Sequence, residues 1–147
     1  MRFEAGEYCL DLLPDETRRC YENMSESEKI SGAARLFRLL MPRSNPKARQ
    51  LLQTMGIDWK KLTEIRLLSE PDENGKVLFL ATARLCARLI RGGETLPRQS
   101  TERDGMSMVF LSDPAQFTVG AKDVDSPQTE IRFVLELDFD PAVLACF

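Results

Sequence analysis

Between Thr129 and Asp140 the chain alternates without a break. Ile131, Phe133, Leu135, Leu137 and Phe139 take the odd positions, while Arg132, Glu136, Asp138 and Asp140 take even ones. A period of two is that of a β-strand and cannot sit on one face of a helix. A strand patterned this way buries one face and wets the other, so it requires neighbouring strands and an apolar layer on its odd side. Met106–Ser112 reads as a second strand and Phe117–Val119 as a short third. At the other end of the chain Phe3, Ala5, Tyr8, Leu10 and Leu12 alternate imperfectly. They predict an edge strand over Arg2–Leu12 with a bulge or bend at Gly6.

The middle of the chain carries helix signals. Pro14-Asp15-Glu16 starts a short helix to about Asn23, with its acids where the helix dipole favours them. Ser25 and Glu28 form a capping box for a helix running to Met41 and stopped by Pro42. Asn45-Pro46 opens another that ends at Gly56, and Asp58 caps a further one, Trp59 to about Leu68. Pro71-Asp72-Glu73-Asn74-Gly75 is a turn. Lys76–Ile90 then shows Arg84, Arg88 and Arg91 at i, i+4 and i+7, which predicts a helix ending at Gly92-Gly93. The rival reading is a hairpin, with Glu64–Ser69 and Lys76–Thr82 as strands across the turn. Glu94–Gly105 reads as a loop. The expected fold is α+β: one domain over residues 1–147, with a helical central region packed on a small, mostly antiparallel sheet formed by the N-terminal and C-terminal strands.

Composition removes several chemistries. Histidine is absent, which excludes Ser-His-Asp and Cys-His catalysis and every His-containing zinc site. Cys9, Cys20, Cys86 and Cys146 are scattered, with no CxxC unit, and read as reduced, mostly buried thiols. Asn74-Gly75-Lys76 lacks the upstream glycine of a phosphate loop, position 70 being glutamate. No apolar run approaches the roughly 20 residues of a membrane span, and acids interrupt Met1–Leu13, so a cytoplasmic location without a membrane partner is expected.

Charge is segregated along the chain. Residues 1–28 hold three arginines against eight acids, residues 29–103 fifteen bases against seven acids, and residues 104–147 two bases against eight acids. Such a layout bears on partners rather than on fold. Arg84, Arg88 and Arg91, followed by Arg98 and Arg103, form the basic group. Glu136, Asp138 and Asp140 form the acidic one, spaced as alternate residues of a strand. Each reads as a solvated face, as a partner-binding strip, or as one half of an internal pairing between the two groups. The arginines could also neutralise phosphates, and the carboxylates could bind a divalent cation or imitate a nucleic-acid backbone.

Leu51, Met55, Gly56, Ile57, Leu62 and Ile65 occupy places like those of a helix-turn-helix. Ala48–Ile65, extended by the helix to Leu68, therefore resembles that motif locally, with Leu52 standing where a small residue is preferred. The resemblance implies a recognition helix offering Lys60, Lys61, Thr63 and Arg66 to DNA. The plainer reading is an αα-hairpin with a glycine cap.

These observations favour a non-catalytic macromolecule-binding or adaptor protein that occupies the surface of a protein partner, with no cofactor. In size and lack of motifs it is similar to accessory and inhibitor proteins of phages and mobile elements. A DNA-binding regulator using residues 48–68 is the alternative, and a metal-dependent enzyme using carboxylates is the second alternative.

Overall fold

Strand pairing, not helix packing, organises the centre of this chain. The computed structural model describes residues 1–24, 30–92, 100–112, 118–119, 122–123 and 127–142. Lys76–Arg91 is one sixteen-residue strand, β4, because we number Arg2–Ala5 as β1, Tyr8–Leu12 as β2 and Glu64–Leu67 as β3. The expected helix over Lys76–Ile90 is thus overturned. Val77, Phe79, Ala81, Ala83 and Leu85 are buried at every second position, and a helix would spread them around its axis.

The C-terminal alternation forms a strand where expected, Gln128–Asp138, labelled β9. Ile131, Phe133, Leu135 and Leu137 are fully buried, while Arg132, Glu136 and Asp138 are exposed. Between β4 and β9 lie β5 (Thr101–Arg103), β6 (Met106–Ser112), β7 (Thr118–Val119) and β8 (Lys122–Asp123). Among the described residues, seven strands make one antiparallel sheet in the order β1-β2-β4-β9-β6-β5, with β3 also on β4; β7 and β8 pair separately.

This corrects the expected proportions: the sheet dominates, and among the described residues three short helices decorate it. They are α1 (Pro14–Glu22), α2 (Gly32–Leu40) and α3 (Pro46–Thr54). Ser31 caps α2 through its side chain, and Asn45 caps α3. The capping box expected at Ser25 and Glu28 lies outside the described residues, as do Phe117, Arg98 and Cys146. The helix expected from Trp59 is only a 3-10 turn, Trp59–Lys61, after which the chain extends into β3. Part of the expected loop 94–105 is strand β5. Nor is Arg2–Leu12 a single strand. Gly6, at φ 57°, is the hairpin turn between β1 and β2, and the hairpin joins the sheet through β4 rather than through the C-terminal strands.

The sheet curls until its two ends meet. Arg103 on β5 donates Nη1 to the Glu4 carbonyl oxygen of β1 at 3.2 Å and lays its guanidinium 4.8 Å from the Phe3 ring centre. Gly6 comes so close to β5 that a Cβ there would stand 2.6 Å from Thr101 Oγ1. Inside the curl, Phe110 of β6 makes edge contacts with Phe3 at 6.0 Å and Tyr8 at 5.3 Å. Phe37 of α2 meets Phe79 of β4 at 5.5 Å, so α2 packs on the concave face. Each of these buried aromatics contributes about 1.5–3 kcal/mol through burial. That is why the concave face, rather than helix propensity, fixes the fold.

β4 carries different partners along one edge. β3 pairs with Phe79–Thr82 and β2 with Ala87–Arg91. Helix α1 fills the notch between them. Thr17 Oγ1 accepts from Cys86 N at 2.8 Å, Leu13 N donates to Cys86 O at 3.0 Å, and Tyr21 Oη donates to Arg84 O at 2.8 Å. A central strand's backbone groups are thereby satisfied where no strand covers them. Because α1 covers that stretch, Leu85, Cys86 and Ala87 are buried in succession.

Candidate functional site

The face of the sheet turned away from the core is built by the even residues of β4 and β9. The registers align it in rows. Arg66, Leu80, Val134 and Ser107 form one row across β3, β4, β9 and β6, and Glu64, Thr82, Arg132 and Val109 form the next. Beyond these, Arg84, Glu130 and Leu111 align toward one end, Leu78 with Glu136 and Lys76 with Asp138 toward the other. Leu78, Leu80, Val109, Leu111 and Val134 are half-buried on this face, and Leu68, next to Leu78 through a backbone hydrogen bond, is 49% exposed. The result is a strip of apolar side chains bordered by exposed charge, a composition suited to a contact surface. A groove of about 510 Å³ runs along its β3 side, lined by Arg66, Leu80, Thr82, Glu130 and Arg132 with Ser31 and Thr63. Arg132 Nε and Glu130 Oε2 are 3.0 Å apart there.

Among the described residues, the acidic and basic groups singled out in the sequence do not meet. Asp138 forms an ion pair with Lys76, and Asp140 Oδ2 pairs with Arg43 Nη1 at 2.9 Å. Glu136 is exposed opposite Leu78. The arginines lie toward the other end of β4. Arg84 stands opposite Glu130, six residues from Leu78, or about 20 Å along the strand. Arg88 is exposed opposite Asp11, and Arg91 donates Nε to the Glu7 carbonyl oxygen at 3.3 Å. The register slips between Cys9 and Leu10, and Arg91, paired with Cys9, returns to the face of the Arg88–Asp11 pair. Beside Asp138, the Lys76 ammonium is held above its ordinary range, chiefly by the hydrogen bond to that carboxylate.

Residues of the expected recognition helix take other roles. Lys60 is exposed on the 3-10 turn, 5.6 Å from the Trp59 ring centre, and Thr63 is exposed between the turn and β3. Lys61 Nζ donates to the Tyr21 carbonyl oxygen at 2.6 Å, at the C-terminal end of α1, where a cation is favourable. Arg66 lies on β3, facing out. With no second helix, the segment lacks the element that would enter a major groove. Among the described residues no three His, Cys, Asp or Glu side chains gather in a way that could hold a metal ion. No helix among them is long and apolar enough to cross a membrane.

A larger groove, about 630 Å³, lies where β1, β5 and α3 meet. Its walls mix Arg2, Lys47 and Arg103 with Glu4 and Asp104, and Arg103 is already engaged with Glu4 and Phe3. It offers neither a cluster of one charge nor a buried nucleophile. The outer sheet face escaped the sequence reading because its central residues, Leu78 and Leu80, belong to the segment read as helix. The signal was present in the alternation of Val77, Phe79 and Ala81. Comparison of the chain with protein-family models, with curated proteins and with solved structures finds no match.

Proposed function

We propose that this chain is a non-catalytic binding protein that takes a protein partner on the outer face of β4, β9 and β6. The observation that carries this reading is the apolar strip of Leu78, Leu80, Val134, Val109 and Leu111, half-open to solvent in the middle of a regular sheet. Arg84 and Arg88 lie toward one end of the strip and Glu136 and Asp138 toward the other, so a partner of complementary polarity is oriented as well as held. Occupying a partner's surface in this way is the mode of an accessory or inhibitor protein. Affinity would come from the apolar centre, and salt would weaken the approach through the charged ends.

The test compares immobilised wild type with a Leu80→Glu, Val134→Glu double variant. Both are used to capture proteins from native lysate at low and moderate salt. The expected result is a protein retained by the wild type and lost from the double variant. Central contacts are worth about 2 kcal/mol or more each, so losing two should weaken binding on the order of a thousandfold. The two proteins should melt alike, because both substitutions point away from the core. Recovery of no protein by the wild type at either salt, or equal recovery by both, would overturn the proposal.

A further inference from the structure

Cys20 and Cys86 are 66 positions apart in sequence, yet their sulfurs lie 3.9 Å apart. Cys20 is on α1 and Cys86 on β4, and both are free thiols in a buried environment. Their stems are held independently of the sulfurs. The hydrogen bonds from Leu13, Thr17 and Tyr21 clamp α1 onto β4 on either side of the contact. The contact is therefore imposed by the notch rather than by chance packing of two loose side chains. Closing it to a disulfide bond of about 2 Å requires only a modest approach of the two sulfurs. The third described cysteine, Cys9, is placed differently, between Arg2 Nη1 at 3.5 Å and Glu4 Oε1 at 3.7 Å.

We propose that Cys20 and Cys86 form a dithiol site that a low-molecular-weight disulfide converts into a covalent staple between α1 and the central strand. Cys20 is the entry thiol, because it retains 7% of its exposure while Cys86 retains none. Its thiolate attacks one sulfur of the reagent, the reagent's S–S bond breaks, and one small thiol leaves. Cys86 then gives up its proton and attacks the Cys20 sulfur of the mixed disulfide, releasing the second small thiol. Two protein thiols are oxidised and one reagent disulfide is reduced. Burial, with Cys20 adding to it, pushes the Cys86 thiol up to about 12. The second step is accordingly slow at neutral pH and faster in mild alkali.

The experiment treats the full chain, natively folded, with oxidised glutathione, then alkylates free thiols, denatures and digests with trypsin without reductant. The expected product is the peptide of residues 20–29 joined to that of residues 85–88, two hydrogens lighter than their sum. Its appearance should accompany a rise in melting temperature that reductant reverses. In Cys86→Ser the same treatment should leave glutathione on Cys20 and no joined peptide. If the folded wild type accumulates a glutathione adduct on Cys20 while Cys86 stays a thiol, the proposal fails. It fails equally if the joined peptide appears only after denaturant is added.

Discussion

Asp138 faces Lys76 across the β4–β9 ladder and pairs with it, while Arg84 faces Glu130 six residues beyond the Leu78–Glu136 pair on the same two strands. Glu136 and Asp138 on one side and Arg84 on the other thus belong to opposite ends of one surface. Energetic independence follows. In a double-mutant cycle, Asp138→Asn and Arg88→Gln should add to within about 0.5 kcal/mol in denaturant unfolding, as sites beyond contact distance do. A coupling well above 1 kcal/mol would mean the two ends fold back on each other.

The parity of β4 can be tested one residue at a time. Phe79 is fully buried against Phe37, and its neighbour Leu80 faces out, half-exposed. Phe79→Ala should cost about 3–5 kcal/mol in denaturant unfolding, the range for a buried ring removed from a packed core. Leu80→Ser should stay within about 1 kcal/mol, since it deletes no fully buried group. Equal losses at the two positions would contradict the strand.

The two cases also explain what the sequence could tell. β9 was legible because most of its even positions, Glu130, Arg132, Glu136 and Asp138, are charged, so the alternation is visible in the residue types themselves. β4 was not, because Leu78 and Leu80 put apolar side chains on the outer face and removed the contrast on which a period of two depends. Its alanines and leucines favour helix, and Arg84, Arg88 and Arg91 happen to fall at helical spacing. Pairing on both edges overrode that propensity. Trp59–Leu68 failed for a related reason: Ile65 and Leu67 pair with Ala81 and Phe79 across the Pro71–Gly75 turn, the hairpin that the sequence offered as the rival reading. The helix starts at Pro14 and at Asn45-Pro46 are set within their own turn and were readable. The charged groups were readable as residues, but their separation depends on the register of β4 against β9.

Gly56 ends α3 in a position no other residue fits well. Its φ is 87°, and a Cβ would lie 2.3 Å from the Pro14 carbonyl oxygen at the start of α1. The glycine that resembles a helix-turn-helix turn residue is instead a helix cap at which two helices touch. Gly56→Ala should destabilise by about 1–3 kcal/mol from backbone strain, with the clash adding to it. The measurement is denaturant unfolding, compared with Gly75→Ala. At Gly75, φ is also positive, 69°, but the nearest atom to a Cβ is 3.8 Å away. Gly56→Ala should be clearly the worse of the two, and equal losses would remove the α1 contact from the explanation.

Alkaline pH should loosen the α1–β4 notch before it affects the outer face. Burial pushes the Tyr21 phenol above its ordinary 10.0, and burial pushes the Cys86 thiol from 9.0 to about 12. Both groups stay protonated in the folded chain at pH values where the unfolded chain has released the proton. Over that interval the unfolded state binds fewer protons, so stability is complete below about pH 9 and falls as pH rises, by about 1.4 kcal/mol per pH unit for each group. The cysteine begins the loss near pH 9 and the tyrosine adds to it from about pH 10. Tyr21→Phe should cost about 1 kcal/mol at pH 7, through the hydrogen bond lost at the Arg84 carbonyl oxygen. It should also make the decline above pH 10 shallower than in the wild type. Unfolding midpoints measured from pH 7 to 11.5 decide the matter, and parallel curves for the two proteins would show that Tyr21 ionises as freely in the folded state as in the unfolded one.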